Sequence, residues 1–164
     1  MIGEDVILKG LGEECGYRSD RVVVWGMGQG GCVGMAVAAA LEGVGAGNYG
    51  LKKQESSRPR LLGGIISLGG ILPAEVTTKY HGSSLGATNQ LCRTPILLVG
   101  GSSRSALTDS EVQRVKEVFG DVTVHRWKRA EDGMPKNREE MMPIMQFLAR
   151  VLKAKGPAGT VEIT

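Results

Sequence analysis

The stretch from Gly26 to Gly31 contains four glycines, and its spacing suits two kinds of chemistry. It separates a β-branched run from an apolar run, which is typical of a strand-to-helix corner. Gly26, Gly28 and Gly31 fit G-x-G-x-x-G, the pattern that lets a dinucleotide pyrophosphate approach a helix N-terminus. That pattern also needs an acidic residue at the end of the next strand, and the residues there are Ser67 to Gly70. A dinucleotide-binding module is therefore the alternative hypothesis.

The same stretch also fits a nucleophile elbow, the G-x-S-x-G corner that presents a serine above a parallel sheet. The central residue of such a corner has a strained backbone, and small residues are expected two positions before and after it. Gly26 and Gly30 are those small residues, but the centre is Gly28, which has no hydroxyl. The corner thus has the pattern of an elbow without its nucleophile.

Four short apolar or β-branched runs are predicted to be strands. They are Arg21 to Trp25, Gly64 to Leu68, Pro95 to Val99 and Val122 to Trp127. Because helical patterns separate them, we expect an α/β fold with a parallel sheet of about four strands, flanked by helices on both faces. Ligand sites in such sheets lie beyond the carboxyl ends of the strands. Chemistry is therefore expected in three loops, at residues 26–31, 100–107 and 128–134.

The helical patterns predict which residues face the core. A helix from Cys32 to Leu41 is apolar on every side and is expected to be buried. Thr108 to Glu111 is a capping box that opens a further helix, and Asn137 to Glu140 resembles another cap. Pro143 marks either a kink or the first turn of the last helix. The expected core residues are Ile7, Leu8, Leu11 and Cys15 in a first helix over 4–15, Val112, Val115 and Phe119 in the third, and Met141, Ile144, Met145, Leu148, Val151 and Leu152 in the last.

Four stretches, in order along the chain, resemble one family. They are Val22 to Trp25 with Gly28 to Gly31, Gly64 to Pro73, Thr94 to Gly101, and Glu139 to Met142 with Gln146 to Leu148. Together they are similar to the elbow, the Ser-Gly-x-Leu-Pro turn, the strand ending in His-Gly and the last helix of acyl-protein thioesterases and carboxylesterases. These proteins form the phospholipase/carboxylesterase family within the α/β-hydrolase superfamily. The resemblance implies a partial α/β-hydrolase fold, because the family's first strands have no counterpart here.

The resemblance also implies which positions match the family's catalytic triad. The serine position is Gly28, the aspartate position is Arg104, and the histidine position is Asp132 in the turn from Ala130 to Pro135. Only the backbone N–H of Gln29 would remain as half of an oxyanion hole. Attack, proton transfer and orientation of the imidazole are all lost at these positions. We therefore expect a catalytically impaired homologue that binds a small acyl ligand or an acylated protein, or acts as a scaffold.

The competing hypothesis is an active esterase or thioesterase that uses a different nucleophile. No candidate has a visible partnered base. His125 lies within a predicted strand, His81 in the polar segment 73–94, and Cys32 one helical turn after Gly28. The other candidates are the serines of the predicted acid loop, Ser102, Ser103 and Ser105.

Composition narrows the class of protein. The 164 residues make one domain, expected at 1–155 with a loose tail at 156–164. The net charge of +3 comes from interspersed charges, which gives nucleic-acid binding no electrostatic support. Three separated cysteines, Cys15, Cys32 and Cys92, predict buried or half-buried thiols rather than disulfides, and no metal or cofactor is expected. No apolar run reaches the length of a membrane span and no signal peptide is visible, so a cytoplasmic location is expected.

Without the family's first strands, the strand from Val22 to Trp25 would lie at an open edge of the sheet. An open edge presents unpaired backbone groups and tends to be covered. Two explanations are therefore expected: another element, such as a second copy of the chain in a homodimer, covers this edge, or the sequence is a piece of a longer gene.

Overall fold

A computed structural model of the protein describes residues 3–42, 61–74, 76 and 91–153. Residues 43–60, most of the polar segment 73–94 with His81, and the expected tail at 156–164 lie outside these residues. The described part contains a parallel sheet of four strands in the order β1-β2-β3-β4. The strands are β1, Val23–Met27; β2, Gly64–Leu68; β3, Ile96–Gly100; and β4, Val122–Arg126. The prediction of an α/β fold with about four parallel strands is confirmed.

The strand ends differ from the predicted ones by up to two residues. Arg21 belongs to a short 3-10 turn, Ser19–Arg21, and β1 continues past Trp25 to Met27. The extension follows from the pairing register, since Met27 is opposite Leu68 at the end of β2. β2 matches its prediction because all five of its residues are buried.

Within the described ranges, three α-helices have bounds that can be given: α1, Gln29–Leu41, after β1; α2, Asp109–Val118, after β3; and α3, Arg138–Lys153, after β4. The hydroxyl of Thr108 accepts a 3.3 Å hydrogen bond from the N–H of Glu111, as the capping box predicted. The side-chain oxygen of Asn137 accepts a 2.9 Å bond from the N–H of Glu140 and so opens α3. Pro143 therefore lies inside α3, in its second turn.

The first helix departs most from its prediction. Residues Gly3–Glu14 form a π-helix, whose wider turn changes which residues share a face. Ile7 is buried and Leu11 half-buried, but Cys15 lies beyond the helix end and is exposed. The expectation of three buried or half-buried thiols is therefore wrong for Cys15 and holds for Cys32 and Cys92.

Two apolar cores lie on opposite faces of the sheet. The first is covered by α1 and α2, and Met35 of α1 packs there with Ile65 and Val115. The expected inward residues of α2, namely Val112, Val115 and Phe119, are all buried. The prediction that α1 is buried on every side is wrong, because Val33 is exposed.

α3 covers the second face. Ile144, Phe147 and Val151 are buried against Leu97 and Trp127, while Met141 and Leu148 are partly buried. The expected core stripe is wrong for Met145 and Leu152, which are exposed. The predicted stripe assumes that neighbouring elements cover a wide part of the helix surface. Among the described residues, no element covers the side of α3 that carries these two residues.

Candidate functional site

Gly28 forms the corner between β1 and α1 with φ 52° and ψ −116°. Its N–H donates a 2.9 Å hydrogen bond to the carbonyl of Leu68, and its carbonyl accepts a 3.1 Å bond from the N–H of Cys32. A positive φ is strained for any residue with a Cβ, whereas glycine adopts it freely. A Cβ at Gly28 would meet no atom of the described residues within 4 Å, so they leave the place of the missing side chain open. The backbone thus has the strained corner that an elbow needs, without a side chain to use it.

The glycines around the corner have different roles. A Cβ at Gly26 would lie 2.3 Å from the backbone nitrogen of Gly31, and one at Gly31 would lie 2.2 Å from the hydroxyl oxygen of Ser67. A Cβ at Gly30 would meet nothing within 4 Å. The expectation that Gly30 must be small is therefore wrong. At this corner, Gly26 and Gly31 are the positions where neighbouring atoms leave no room for a side chain.

Gln29 is the first residue of α1 and is exposed. The N–H groups of a helix's first turn have no carbonyl partner within the helix. The backbone N–H of Gln29 can therefore donate to a negatively charged or carbonyl oxygen placed above the corner, which is the role expected for it.

Asp132 extends from the loop after β4 over the end of β2. A Cβ at Gly69, which has φ 66°, would lie 2.7 Å from the carboxyl carbon of Asp132. The carboxylate accepts hydrogen bonds from the N–H of Gly101 at 2.8 Å and from the N–H of Ala106 at 3.0 Å. Asp132 therefore ties the loop after β4 to the loop after β3.

The environment keeps this carboxylate charged. Partial burial on its own would raise the pKa of Asp132, but the hydroxyl of Ser105, the N–H groups of Gly101 and Ala106 and the charge of Arg126 outweigh it and hold the pKa below its usual value. A carboxylate with a lowered pKa is a weak base. Asp132 is thus a fixed hydrogen-bond acceptor at the position where the resemblance expected a histidine.

Arg104 is on the outer side of the same pair of loops. Its backbone N–H bonds the carbonyl of Ala130 at 2.8 Å, and its guanidinium lies 3.5 Å from the carboxylate of Glu131 with both side chains largely exposed. Of the three triad positions, Gly28 lies at the end of β1, and the side chain of Asp132 lies over the end of the neighbouring strand β2. The side chain of Arg104 points to solvent. No acid occupies the position where the resemblance expected one.

Arg126 is a residue of this region that the sequence did not reveal. Its guanidinium donates to the carbonyl of Leu107 and, at 3.2 Å, to the carboxylate of Asp109. It thereby holds the loop after β3 against the end of β4. A lone arginine at a strand end carries no sequence signal for such a role, because its partners are mainly backbone carbonyls.

The other candidate nucleophiles and bases are engaged elsewhere. The hydroxyl of Ser102 donates to the carbonyl of Arg129 at 3.1 Å, and the hydroxyl oxygen of Ser105 accepts from the N–H of Leu107 at 3.1 Å. His125 packs within β4 against Trp127, with ring centroids 5.5 Å apart and the planes at 78°. The prediction that His125 lies within a strand is confirmed. Ser103 is exposed, and Cys32 lies half-buried in α1.

Three features are absent from the described part of the chain: a metal site, a membrane-spanning helix and the acid of a dinucleotide site. Among those residues no group of three or more His, Cys, Asp or Glu side chains could hold a metal ion. None of the helices built from them is long and apolar enough to cross a bilayer. A dinucleotide site also lacks its ribose-binding acid there, because β2 ends at Leu68 and is followed by Gly69 and Gly70.

No family model and no curated protein matches the sequence. Among solved structures, an acyl-protein thioesterase 2 from Zea mays superposes with a TM-score of 0.55 at 19% identity, covering 80% of this chain and 56% of the thioesterase. YahD, solved with malic acid, superposes with a TM-score of 0.53 at 13% identity, covering 92% of this chain and 60% of YahD. The chain therefore spans less than two thirds of the length of either protein. With its four parallel strands, flanking helices and glycine corner, the chain has part of the α/β-hydrolase fold.

Proposed function

We propose that the chain binds an acyl chain, carried by a small molecule or by a protein, and does not hydrolyse it. The observation that carries the proposal is Gly28, whose backbone has the strained geometry of a nucleophile corner while the side chain is missing. Hydrolysis through an acyl-enzyme needs a nucleophile, whereas binding of the ligand does not. The N–H of Gln29 at the start of α1 remains available to a carbonyl oxygen of the ligand.

The surroundings of Gly28 argue against replacement of the lost nucleophile. Serine attack at neutral pH needs a general base within hydrogen-bond reach. The hydroxyl of Ser105 bonds Asp132, whose lowered pKa makes it a poor proton acceptor. Ser102 donates to a backbone carbonyl instead. These contacts favour binding over an alternative esterase mechanism.

An apolar groove begins at the corner and supports the choice of an acyl chain. The groove has a volume of about 440 Å³ and runs from the first turn of α1 along β1 to the N-terminal helix. Gln29 and Gly30 form one end, and its remaining lining residues are apolar or glycine: Ile7, Leu11, Val22, Val24, Val33, Gly34 and Val37. Pockets of this size bury most of a small ligand. A chain of methylene groups placed there would gain about 0.8 kcal/mol per buried CH₂.

The absence of hydrolysis is tested with a fluorophosphonate probe and with short p-nitrophenyl esters. We expect no labelling and no turnover above a heat-inactivated sample, with an active serine esterase as the positive control. Stoichiometric labelling would overturn the non-catalytic proposal, and the labelled peptide would identify the serine responsible.

Binding is tested by calorimetry with dodecanoate and its methyl ester. Val33→Lys places a charge in the groove, and we expect it to weaken binding at least tenfold. Met142→Lys is the matched control, because Met142 on α3 is 42% exposed and Val33 is 43% exposed. Equal affinity in both variants, or no saturable binding in the wild type, would contradict the proposed groove.

A further inference from the structure

Among the described residues, no strand pairs with the outer edge of β1, so that backbone groups are unpaired there at every second residue. The carbonyl of Val22 accepts from Gly63, and the N–H of Gly28 donates to Leu68, so the even-numbered residues between them face β2. In a parallel strand the N–H and C=O of one residue point to the same side. The backbone groups of Val23, Trp25 and Met27 therefore point away from the sheet.

This edge has none of the features that normally prevent pairing. The strand Val23–Met27 contains no charged residue and no proline, and its Trp25 and Met27 side chains are exposed. Native edge strands are usually blunted by charges, prolines or bulges. The other edge strand, β4, is of that blunted kind, because it carries His125 and Arg126. The two edges of the sheet are thus unequal, and β1 is the one suited to pairing.

The same side of the molecule carries a second apolar surface. Arg150 bonds Asp121 beside β4 and Glu139 pairs with Lys128 after it, so this side of α3 faces β4. Met145 and Leu152 lie on the opposite side of the helix and are exposed. That opposite side faces β1, because Met141 and Leu148 beside them pack in the same core as Val23. Trp25 and Met27 are on the same face of β1 as Val23, since side chains alternate along a strand.

We propose that a second copy of this chain pairs with β1 in antiparallel orientation, about a twofold axis at Trp25. In this register Trp25 pairs with its own counterpart and Val23 with Met27 of the other copy, and each pair exchanges both of its N–H···O bonds. The strand suits itself as a partner because it is uncharged, so that the twofold axis brings no like charges together. The inference is independent of the proposed acyl binding, which uses the face of β1 under α1.

The apolar surface also favours a second copy. A twofold axis perpendicular to the sheet keeps both α3 helices on the same side of the joined sheet. The exposed Trp25 and Met27 side chains of both copies then meet in the channel between those helices. Met145 and Leu152 form its walls. Backbone pairing and burial of the exposed apolar side chains are thus achieved by one contact.

The mass in solution tests the proposal. Light scattering after size exclusion should give twice the 17.4 kDa chain mass in the micromolar range. Trp25→Lys should give the mass of one chain. Leu91→Lys is the control, because Leu91 is also 39% exposed but lies beside Gly120, away from β1. A wild-type dimer that persists in folded Trp25→Lys, checked by circular dichroism, would place the interface elsewhere and overturn the proposal.

Hydrogen exchange on the wild type gives a reading that does not depend on a variant that could misfold. We expect the amides of Trp25 and Met27 to be protected, and protection to decrease on dilution. The amide of Val124 serves as the control, since the even-numbered residues of β4 face away from β3 and have no strand partner in the described part of the chain. Free exchange at Trp25 in a monomeric wild type would overturn the proposal and leave β1 open to a strand from another polypeptide.

Discussion

The carboxylate of Asp132 accepts a hydrogen bond of 2.8 Å from the backbone N–H of Gly101, which joins the loop after β4 to the loop after β3. The family resemblance placed a histidine at this position. A histidine in that role needs a free ring nitrogen, whereas this carboxylate has both oxygens bonded to backbone N–H groups. The contact therefore makes position 132 part of the loop architecture.

Removal of this acceptor should cost stability in a pH-dependent way. In Asp132→Asn one backbone N–H faces an amide NH₂ group, so we expect a loss of about 1–3 kcal/mol at pH 7. Because the pKa of Asp132 is lowered on folding, its stabilisation is complete above the unfolded pKa of about 4 and is lost as the pH falls through the folded value. Urea unfolding at pH 7 and pH 3 should show a smaller difference between wild type and variant at the lower pH. Glu131→Gln is the control, and its exposed pair with Arg104 should contribute about 0–1 kcal/mol.

Restoring a serine should not restore an enzyme. Gly28→Ser has room for its side chain but must adopt φ 52°, so we expect a loss of about 1–3 kcal/mol and no ester turnover above the parent. The triple change Gly28→Ser, Arg104→Asp and Asp132→His should also fall well short of an esterase, because Asp132→His removes the acceptor of Gly101 and Ala106. Melting temperature and p-nitrophenyl ester turnover measure both effects. Robust turnover by the single variant would mean that a competent base already lies beside position 28.

Alanine substitutions at the corner should separate packing from backbone strain. Gly26→Ala places a Cβ 2.3 Å from backbone atoms that cannot move without shifting α1, so we expect a loss of more than about 3 kcal/mol. Gly30→Ala lies in α1 with open space around its Cβ, and we expect it to gain about 0.5–1 kcal/mol. Chemical denaturation of the two variants measures the contrast. A similar stability for both would show that the corner relaxes more easily than its contacts imply.

Among the half-buried positions, substitution of Glu42 should be one of the most destabilising. At the end of α1, its carboxylate accepts bonds from the N–H of Arg93 at 2.9 Å and from the N–H and hydroxyl of Thr94 at 2.9 and 2.7 Å. The thiol of Cys92 also donates to it at 2.7 Å. Glu42→Ala leaves these donors without their acceptor, so we expect a loss of about 2–4 kcal/mol in urea unfolding. Glu13→Ala, at an exposed position of the N-terminal helix, is the comparison, and an equal loss there would contradict the special role of Glu42.

The same cluster predicts unequal thiol reactivity. Burial, followed by the hydrogen bond to Glu42 and its charge, raises the pKa of Cys92 far above its ordinary value. Cys15 is exposed. A disulfide reagent at pH 8 should therefore modify Cys15 within the native protein and Cys92 only after unfolding. Fast modification of Cys92 without loss of structure would contradict its burial.

The sequence predicted those parts of the fold that rest on local pattern. β2 was located to the residue because a short, largely apolar run between glycines is typical of a buried parallel strand, and all five of its residues are buried. The caps Thr108 and Asn137 were found because their side chains bond an N–H three residues later. The exposure of Met145 and Leu152 was missed, because a helical stripe shows which residues are apolar and not which neighbour is present to cover them.

The sequence predicted where the residues of the candidate site lie, but not which atoms they contact. Gly28 and Asp132 were placed at the carboxyl edge of the sheet from strand order and resemblance, and the structure puts them there. The partners of Asp132 could not be predicted, because backbone N–H groups such as those of Gly101 and Ala106 are the same in every residue type. The positive φ of Gly69, below the carboxylate, was indicated only by the two successive glycines after β2. The family resemblance assigned these glycines to a turn and not to a contact with Asp132.

The sequential strand order has a consequence for how the chain acquires its structure during synthesis. Each strand pairs with the one made just before it, so the sheet can grow from β1 to β4 as residues leave the ribosome. Among the described elements, one face receives α1 and α2 along the way, and the other is covered only by α3, which is complete at Lys153. Until then Ile66, Leu97 and Val99 remain open to water on a nearly finished sheet. The last sixteen residues of the described chain therefore bury the apolar side chains of that face, and they do so only after all four strands have been made.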